Sequence, residues 1–259
     1  MHHILLALFI GVAVGAMVGL TGVGGGALLV PLLVLLLDVS PILAVGTGAL
    51  FVAATKVGAA WSYYRRGCVD TRLVLRMSLG SIPGAILGVT TLAILRVHLG
   101  NSVNELLKIM IGVLLIVTPG FALFQRYLQK TGKKSLRERL PVWITPQNGA
   151  IAVGVIGGFL VGMTSMGSGS IIMVLLVLFY SRRLQMLVGT DIAHSVVLAL
   201  VAGTGHFILG NVDFSLLAAL LLGSIPAAWI AAQYATSFRA AWLRMVLFSA
   251  LVAAGISML

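Results

Sequence analysis

Two glycine-rich segments hold the residue types that could do chemistry in this chain. The first is Gly19-Leu20-Thr21-Gly22-Val23-Gly24-Gly25-Gly26, and the second runs from Gly162 through Thr164, Ser165, Gly167, Ser168, Gly169 and Ser170. Clustered glycines lack a Cβ, cost conformational entropy in a helix and break it. Broken backbone at membrane depth survives only where protein or a watery cavity satisfies its polar groups. A helix restarted after the break turns free N–H groups and positive partial charge toward the gap. An anion is the ligand such a gap would take. The backbone of Gly22, Gly24, Gly25, Gly26, Gly167 and Gly169 would approach it, and the hydroxyls of Thr21, Thr164, Ser165, Ser168 and Ser170 would add donors. Small residues also serve close helix packing. Two copies in register, each with apolar flanks, favour the binding role. An intramembrane serine protease would want Gly-x-Ser-Gly, and position 166 is Met, so that pattern fails at Ser168.

Four ionisable residues fall inside apolar runs: Lys56, Asp191, His194 and His206. Such groups are expensive in lipid and face a cavity or a partner. Lys56 precedes Tyr64 by eight residues, about 12 Å from that helix end at about 1.5 Å per residue. Asp191 follows Arg183 by eight, at a similar depth from the same face. His194 lies one turn on and shares a helix face with Asp191. A carboxylate beside a histidine could carry protons or gate the path. Lys56 would attract the anion or snorkel to the interface. His206 is expected near the outer interface. Thr47 and Thr190 sit in matching Val-Gly-Thr triplets, where they would flank the site or bond to their own helix backbone.

The elements that must position these residues form two copies. Thr21 and Thr164 stand 143 positions apart, and the same offset relates Val45-Gly46-Thr47 to Val188-Gly189-Thr190 and Leu79-Gly80-Ser81-Ile82-Pro83 to Leu222-Gly223-Ser224-Ile225-Pro226. Asp191 and His194 replace Gly48 and Phe51 of the first copy, so a shared scaffold has divided its polar roles. Each copy opens with two short apolar runs around its glycine segment and continues with three runs long enough to cross a bilayer, which takes roughly 20 helical residues. The fold class expected is an all-α polytopic membrane protein made of two repeats: residues 1–125, a basic linker 126–146, and residues 147–259.

The charges suggest how the repeats lie. Arg65, Arg66 and Arg72 follow the first long run of the first copy, while the loop at 38–40 has no basic residue; in the second copy Arg182 and Arg183 occupy the earlier loop and 210–213 has none. Basic loops face the cytoplasm. The repeats would therefore be inverted, with the linker inside and both termini outside. Arg96, His98 and Lys108 are exceptions to this distribution.

Composition narrows the function classes. The chain is 60% hydrophobic and 9% charged, with mean hydropathy +1.13; a soluble domain carries roughly 25% charged residues. The net charge of +11 resides in short loops between apolar runs, so it marks membrane orientation and not a nucleic-acid partner. Cys68 is the single cysteine, and no metal cluster, cofactor motif or catalytic constellation is legible, so an enzyme is not expected.

The order and duplication of these segments resemble the TauE/SafE family of membrane anion exporters. The matching pieces are Gly19–Gly26 followed by Pro31 and a Leu-rich run, Ala44-Val45-Gly46-Thr47, Arg65-Arg66-Gly67-Cys68-Val69-Asp70, and their second-half counterparts. The resemblance implies a multi-pass protein of the cell inner membrane that exports sulfite or a small organosulfonate such as sulfoacetate. Ser168, where the family pattern has consecutive glycines, and Thr190-Asp191-Ile192-Ala193-His194 depart from that pattern. The partners implied are a small anion and the lipid bilayer; a homo-oligomer is allowed and not specified. Alternating access would come from one part of the fold rocking against the rest. An anion leaving a negative-inside cell gains about 2.3 kcal/mol per charge per 100 mV, so proton coupling is allowed but not required. A passive anion channel and a membrane scaffold without flux are the rival readings.

Overall fold

A computed structural model describes residues 2–21, 25–130, 146–166, 172–173, 175–176, 180, 183–234 and 240–259. Nine helices form among them: α1 (His2–Thr21), α2 (Gly26–Leu36), α3 (Pro41–Arg65), α4 (Thr71–Leu99), α5 (Ser102–Lys130), α6 (Pro146–Thr164), α7 (Leu184–Ile208), α8 (Phe214–Tyr234) and α9 (Ala240–Met258). Five are long and apolar enough to cross a membrane. Large apolar side chains such as Phe9, Val97, Leu222 and Trp229 point outward, which an apolar solvent tolerates and water does not. The chain is an all-α polytopic membrane protein. Helix α5 continues through Lys130, so the segment expected to be linker from residue 126 begins as helix; residues 131–145 lie outside the described ones.

Helix ends fall where local chemistry stops them. Pro41 opens α3, where its missing N–H has no helical partner to lose. Gly67 (φ +66°) and Gly210 (φ +69°) follow the ends of α3 and α7 in the left-handed conformation. Their N–H groups donate to Tyr64 and Phe207 carbonyls, and the next residues, Cys68 and Asn211, donate to Tyr63 and His206. Asp70 caps α4 by accepting from Leu73 N (3.1 Å), and Asp213 caps α8 by accepting from Leu216 N (3.0 Å). The Leu216 N–H stabilises the ionised carboxylate and so holds Asp213 below its ordinary value.

Equivalent residues of the two copies exchange equivalent contacts. Asp213 N donates to Thr47 Oγ1 (3.1 Å), and Asp70 N donates to Thr190 Oγ1 (3.0 Å). Gly46 lies on the Asn211 carbonyl, and Gly189 lies on the Cys68 carbonyl. The start of α3 thus abuts the residues after α7, and the start of α7 abuts those after α3, so the two helices run antiparallel. Reciprocal contacts of this kind are what a two-fold relation generates.

Glycines make the tightest contacts. Gly154 and Gly158 on α6 press on the Met77 and Ser81 carbonyls of α4, while Gly80 presses back on Ile151. The matching trio is Gly11 and Gly15 of α1 on Leu220 and Ser224 of α8, with Gly223 on Leu8. Spacing by four brings the glycines onto one helix face and lets the backbones touch. A Cβ at Gly158 would overlap the Ser81 carbonyl, whereas one at Gly120 would meet nothing within 4 Å. Gly158→Ala should therefore cost about 1–3 kcal/mol, the scale of overpacking, and Gly120→Ala should be neutral or mildly stabilising. Thermal unfolding in nanodiscs checks this, and equal midpoints for the two variants would contradict the packing account.

The buried apolar side chains fall into two clusters. One draws mainly on α1, α2, α3, α5, α8 and α9, with Leu92 of α4, Met166 and Ala199 of α7; the other draws mainly on α4, α6 and α7, with Ala49 of α3 and with Ile172, Met173 and Leu176. Each cluster therefore takes helices from both copies. The basic exceptions outside the expected loops have local partners or exposure. Arg96 Nη1 donates to Asn211 Oδ1 (2.6 Å), Lys108 pairs with Glu105 (3.6 Å), and His98 is exposed.

Candidate anion site between the copies

Helix α2 begins at the first glycine break, and its N-cap is Gly25, which offers no side-chain acceptor. The first-turn N–H groups of a helix lack intrahelical acceptors and point outward from the N-terminus. Helix α6 ends at the second break. Thr164 stabilises that end by donating to Leu160 O (2.7 Å) and accepting from Met166 N (3.3 Å). Ser165 follows in the left-handed region, φ +57°. A non-glycine residue there costs roughly 1–2 kcal/mol. The matching residue in the first copy is Gly22, which bears no such steric cost.

The two breaks meet. A Cβ built on Gly26 would stand 2.7 Å from the Ser165 carbonyl oxygen. One on Gly48 of α3 would stand 3.5 Å from Ser165 Oγ. Ser165 is 2% exposed, and its hydroxyl has no hydrogen-bond partner among the described residues. Gly48, Val52 and Lys56 are spaced by four, so they form one stripe along α3. Gly48 faces Ser165 and Val52 faces Gly26; Lys56 continues the stripe.

Lys56 is 6% exposed, Asp191 4% and His194 fully buried. The Lys56 ammonium is within electrostatic reach of both Asp191 and His194 on α7. His194 Nε2 is 2.8 Å from Ser81 Oγ of α4. Ser195 Oγ donates to the Asp191 carbonyl (2.7 Å), one turn away on the same helix. A cation, a carboxylate, an imidazole and a hydroxyl are thus gathered in the interior by α3, α7 and α4. Ser81 was not singled out by its type or neighbours. Its signal was the intact recurrence of Leu-Gly-Ser-Ile-Pro at 79–83 and 222–226.

Other expected residues have partners of their own. The hydroxyls of Thr47 and Thr190 accept the N–H groups of Asp213 and Asp70, at the loops that join the copies; Thr190 also donates to Met186 O (2.6 Å). His206, near the end of α7, is fully buried under α6: its Nε2 donates to Gly162 O (2.8 Å). Thr21 ends α1. Its side chain, together with Gly22, Gly24, Gly167, Ser168, Gly169 and Ser170, lies outside the described residues.

Ser165→Gly removes both the left-handed strain and the buried hydroxyl. We expect a higher unfolding temperature, by up to about 1 kcal/mol of stability, together with weaker anion binding. Unchanged apparent affinity in a flux assay would take Ser165 out of the site.

Comparisons with known proteins agree with this architecture. The family model described as sulfite exporter TauE/SafE matches residues 7–258. "Probable membrane transporter protein YjnA" of Bacillus subtilis (strain 168) is 34% identical over 215 residues, 83% of this chain and 84% of that protein. "Probable membrane transporter protein YdhB" of the same organism is 24% identical over 219 residues, 85% of this chain and 84% of that protein. No solved structure gives a significant match. A match spanning nearly the whole chain places it plainly: it belongs to the TauE/SafE sulfite exporter family, and with it to the membrane transporters.

Proposed function

We propose that the protein exports a small sulfur-containing anion, sulfite or an organosulfonate such as sulfoacetate, across the cell inner membrane by alternating access. The observation that carries this reading is the meeting of the two glycine breaks beside a buried lysine. The α2 N-terminus would meet the anion with backbone N–H groups, Ser165 with a hydroxyl, and Lys56 with full charge. Ser168, Ser170, Thr164, Thr21 and the flanking glycines would complete the pocket, with Thr47 and Thr190 holding its frame. Asp191, His194 and His206 would govern coupling or gating. The two apolar clusters are candidates for the parts that rock, with α3, α4 and α7 contributing side chains to both.

Purified protein in liposomes, given a panel of sulfite, sulfoacetate, sulfate and phosphate, tests the reading. Saturable uptake with counterflow is expected for sulfite or sulfoacetate. Flux without saturation or counterflow would mean a channel, and no flux of any anion would favour the scaffold.

An inverted arrangement in the bilayer belongs to the same proposal. It is supported by the antiparallel α3–α7 pair, because helices that exchange ends across a two-fold axis cross the bilayer in opposite senses. Cys68 should react with an impermeant thiol reagent from the cytoplasmic side only. Ser215→Cys, in a Cys68→Ser background, should react from the outside only. Ser215, at the start of α8, is chosen because it is exposed, whereas Asn211 in the preceding loop is buried. Labelling of both positions from one face would rule out the inversion.

A further inference from the structure

We infer that each anion crosses together with a proton carried on the Asp191–His194 unit, so that the protein is an anion–proton symporter. The inference rests on the transport reading above and deepens it. Its ground is a count of buried charge. Among the described residues, Lys56 and Asp191 are the buried formal charges. They sit on helices that pack against each other: Gly203 of α7 lies on Leu50 of α3, and Gly189 on Tyr63, so the contacts bracket Lys56, Asp191 and His194.

In the empty site the ammonium and the carboxylate compensate each other. An anion that binds Lys56 takes over that compensation and leaves the Asp191 carboxylate with a net negative interior around it. Uncompensated charge is strongly disfavoured away from water. The remedy available is one proton, drawn from the aqueous face to which the site is open and held on the carboxylate or on the adjacent imidazole. When the anion leaves on the other side, Lys56 returns to Asp191 and the proton departs with the anion. For a monovalent anion the loaded and empty interiors then carry the same charge, and for divalent sulfoacetate the proton leaves one net negative charge in place of two, so in both cases it lowers the cost of crossing the occluded state.

Among the described residues, the surrounding helices show no competing acceptor. From α3 the ionisable group facing Asp191 is Lys56, from α7 itself it is His194, and from α4 the hydroxyl of Ser81 reaches His194. Helices α2, α6 and α8 contain no Asp, Glu, Lys, Arg or His. The Ser81 hydroxyl fixes one imidazole nitrogen, while Nδ1 has no partner among the described residues. The histidine therefore has a nitrogen available to share the proton.

The expected coupling differs in sign from antiport, by which an exporter draws on an inward proton gradient. Liposomes enclosing a pH dye, with membrane potential clamped to zero and equal pH on both sides, receive an inward sulfoacetate gradient. At about pH 7.5 both acid groups of sulfoacetate are ionised, so any proton moved is carried by the protein. Uptake should acidify the interior by one proton per anion. Asp191→Asn, which fixes the neutral form, should still exchange labelled for unlabelled sulfoacetate more slowly, with acidification reduced to the leak. Asp191→Glu should restore the wild-type stoichiometry. Sulfoacetate uptake without acidification, uptake with alkalinisation, or full acidification by Asp191→Asn would each overturn the symport and leave the transport reading standing. Absence of both sulfoacetate and sulfite flux overturns the two together.

Discussion

Alanine at Gly26 should nearly stop transport, and alanine at its neighbour Gly25 should leave most of it. Both glycines belong to the same break, so a general need for flexibility predicts equal damage. Geometry predicts otherwise. A Cβ on Gly25 meets the side chains of Phe51 (3.2 Å) and Val18 (3.4 Å), which can yield by a few tenths of an ångström. A Cβ on Gly26 stands 2.7 Å from the backbone oxygen of Ser165, and backbone at a helix end cannot yield alone. The two breaks would be pushed apart where they jointly form the pocket. Misplacement by about 1 Å costs on the order of 100-fold in a step that depends on alignment, and we expect at least tenfold loss of sulfite or sulfoacetate flux. Folded, monodisperse protein should still be recovered, because a single contact is altered. Gly25→Leu and Ser168→Leu extend the series by adding bulk on either side of the gap; both should lose transport. Equal flux in Gly26→Ala and Gly25→Ala would refute the meeting of the breaks as the origin of the site.

What the sequence disclosed, and what it withheld, follows from the range of each signal. Helical class and copy number were legible because apolar runs and a constant offset are local or periodic features. The buried group of Lys56, Asp191 and His194 was legible from cost: a charge within an apolar run demands a reason. Ser81 was hidden because a serine in a membrane helix demands none. Its role comes from a contact with His194, 113 positions away. The work of Thr47 and Thr190 was hidden likewise, since a hydroxyl gives no sign in sequence of whether it will bond its own helix or a loop in the other copy. The bond of His206 to the Gly162 carbonyl was hidden for the same reason, since α6 is distant in sequence. The packing of α4 on α6 was written in the glycines at 80, 84 and 88 and at 154, 158 and 162, yet spacing alone does not say which two faces meet.

The asymmetry between the copies has a physical consequence. Ser81 has His194 as a partner, whereas the equivalent Ser224 is buried without one among the described residues, because the residue matching His194 is Phe51. Gly48 matches Asp191, and Ala199 matches Lys56. One half-site is therefore polar and its mate apolar. A two-fold scaffold with a single charged group in its interior can hold one anion in one orientation. Two identical half-sites would instead place like charges across the axis, where they would repel.

The second large effect concerns Lys56 and Asp191 as a pair. Lys56→Ala should abolish transport, because it removes the full positive charge offered to the anion. Asp191→Ala should damage transport severely for a different reason: it removes the group that receives Lys56 when the anion leaves. Each single change also strands a buried charge, which costs about 3–5 kcal/mol when one partner of a buried pair is removed. The double variant strands neither. Its unfolding temperature should recover toward wild type, while its transport stays as low as that of Lys56→Ala. Stability and flux then separate, and the double-variant cycle reports a coupling energy well above the roughly 0.3–0.5 kcal/mol within which independent sites add. Because the two residues lie on helices from different copies, that coupling also measures contact between the copies at the centre of the fold. Strictly additive losses of stability would show that the two charges are compensated separately, and Lys56 would then have to be assigned to the lipid interface instead of the anion.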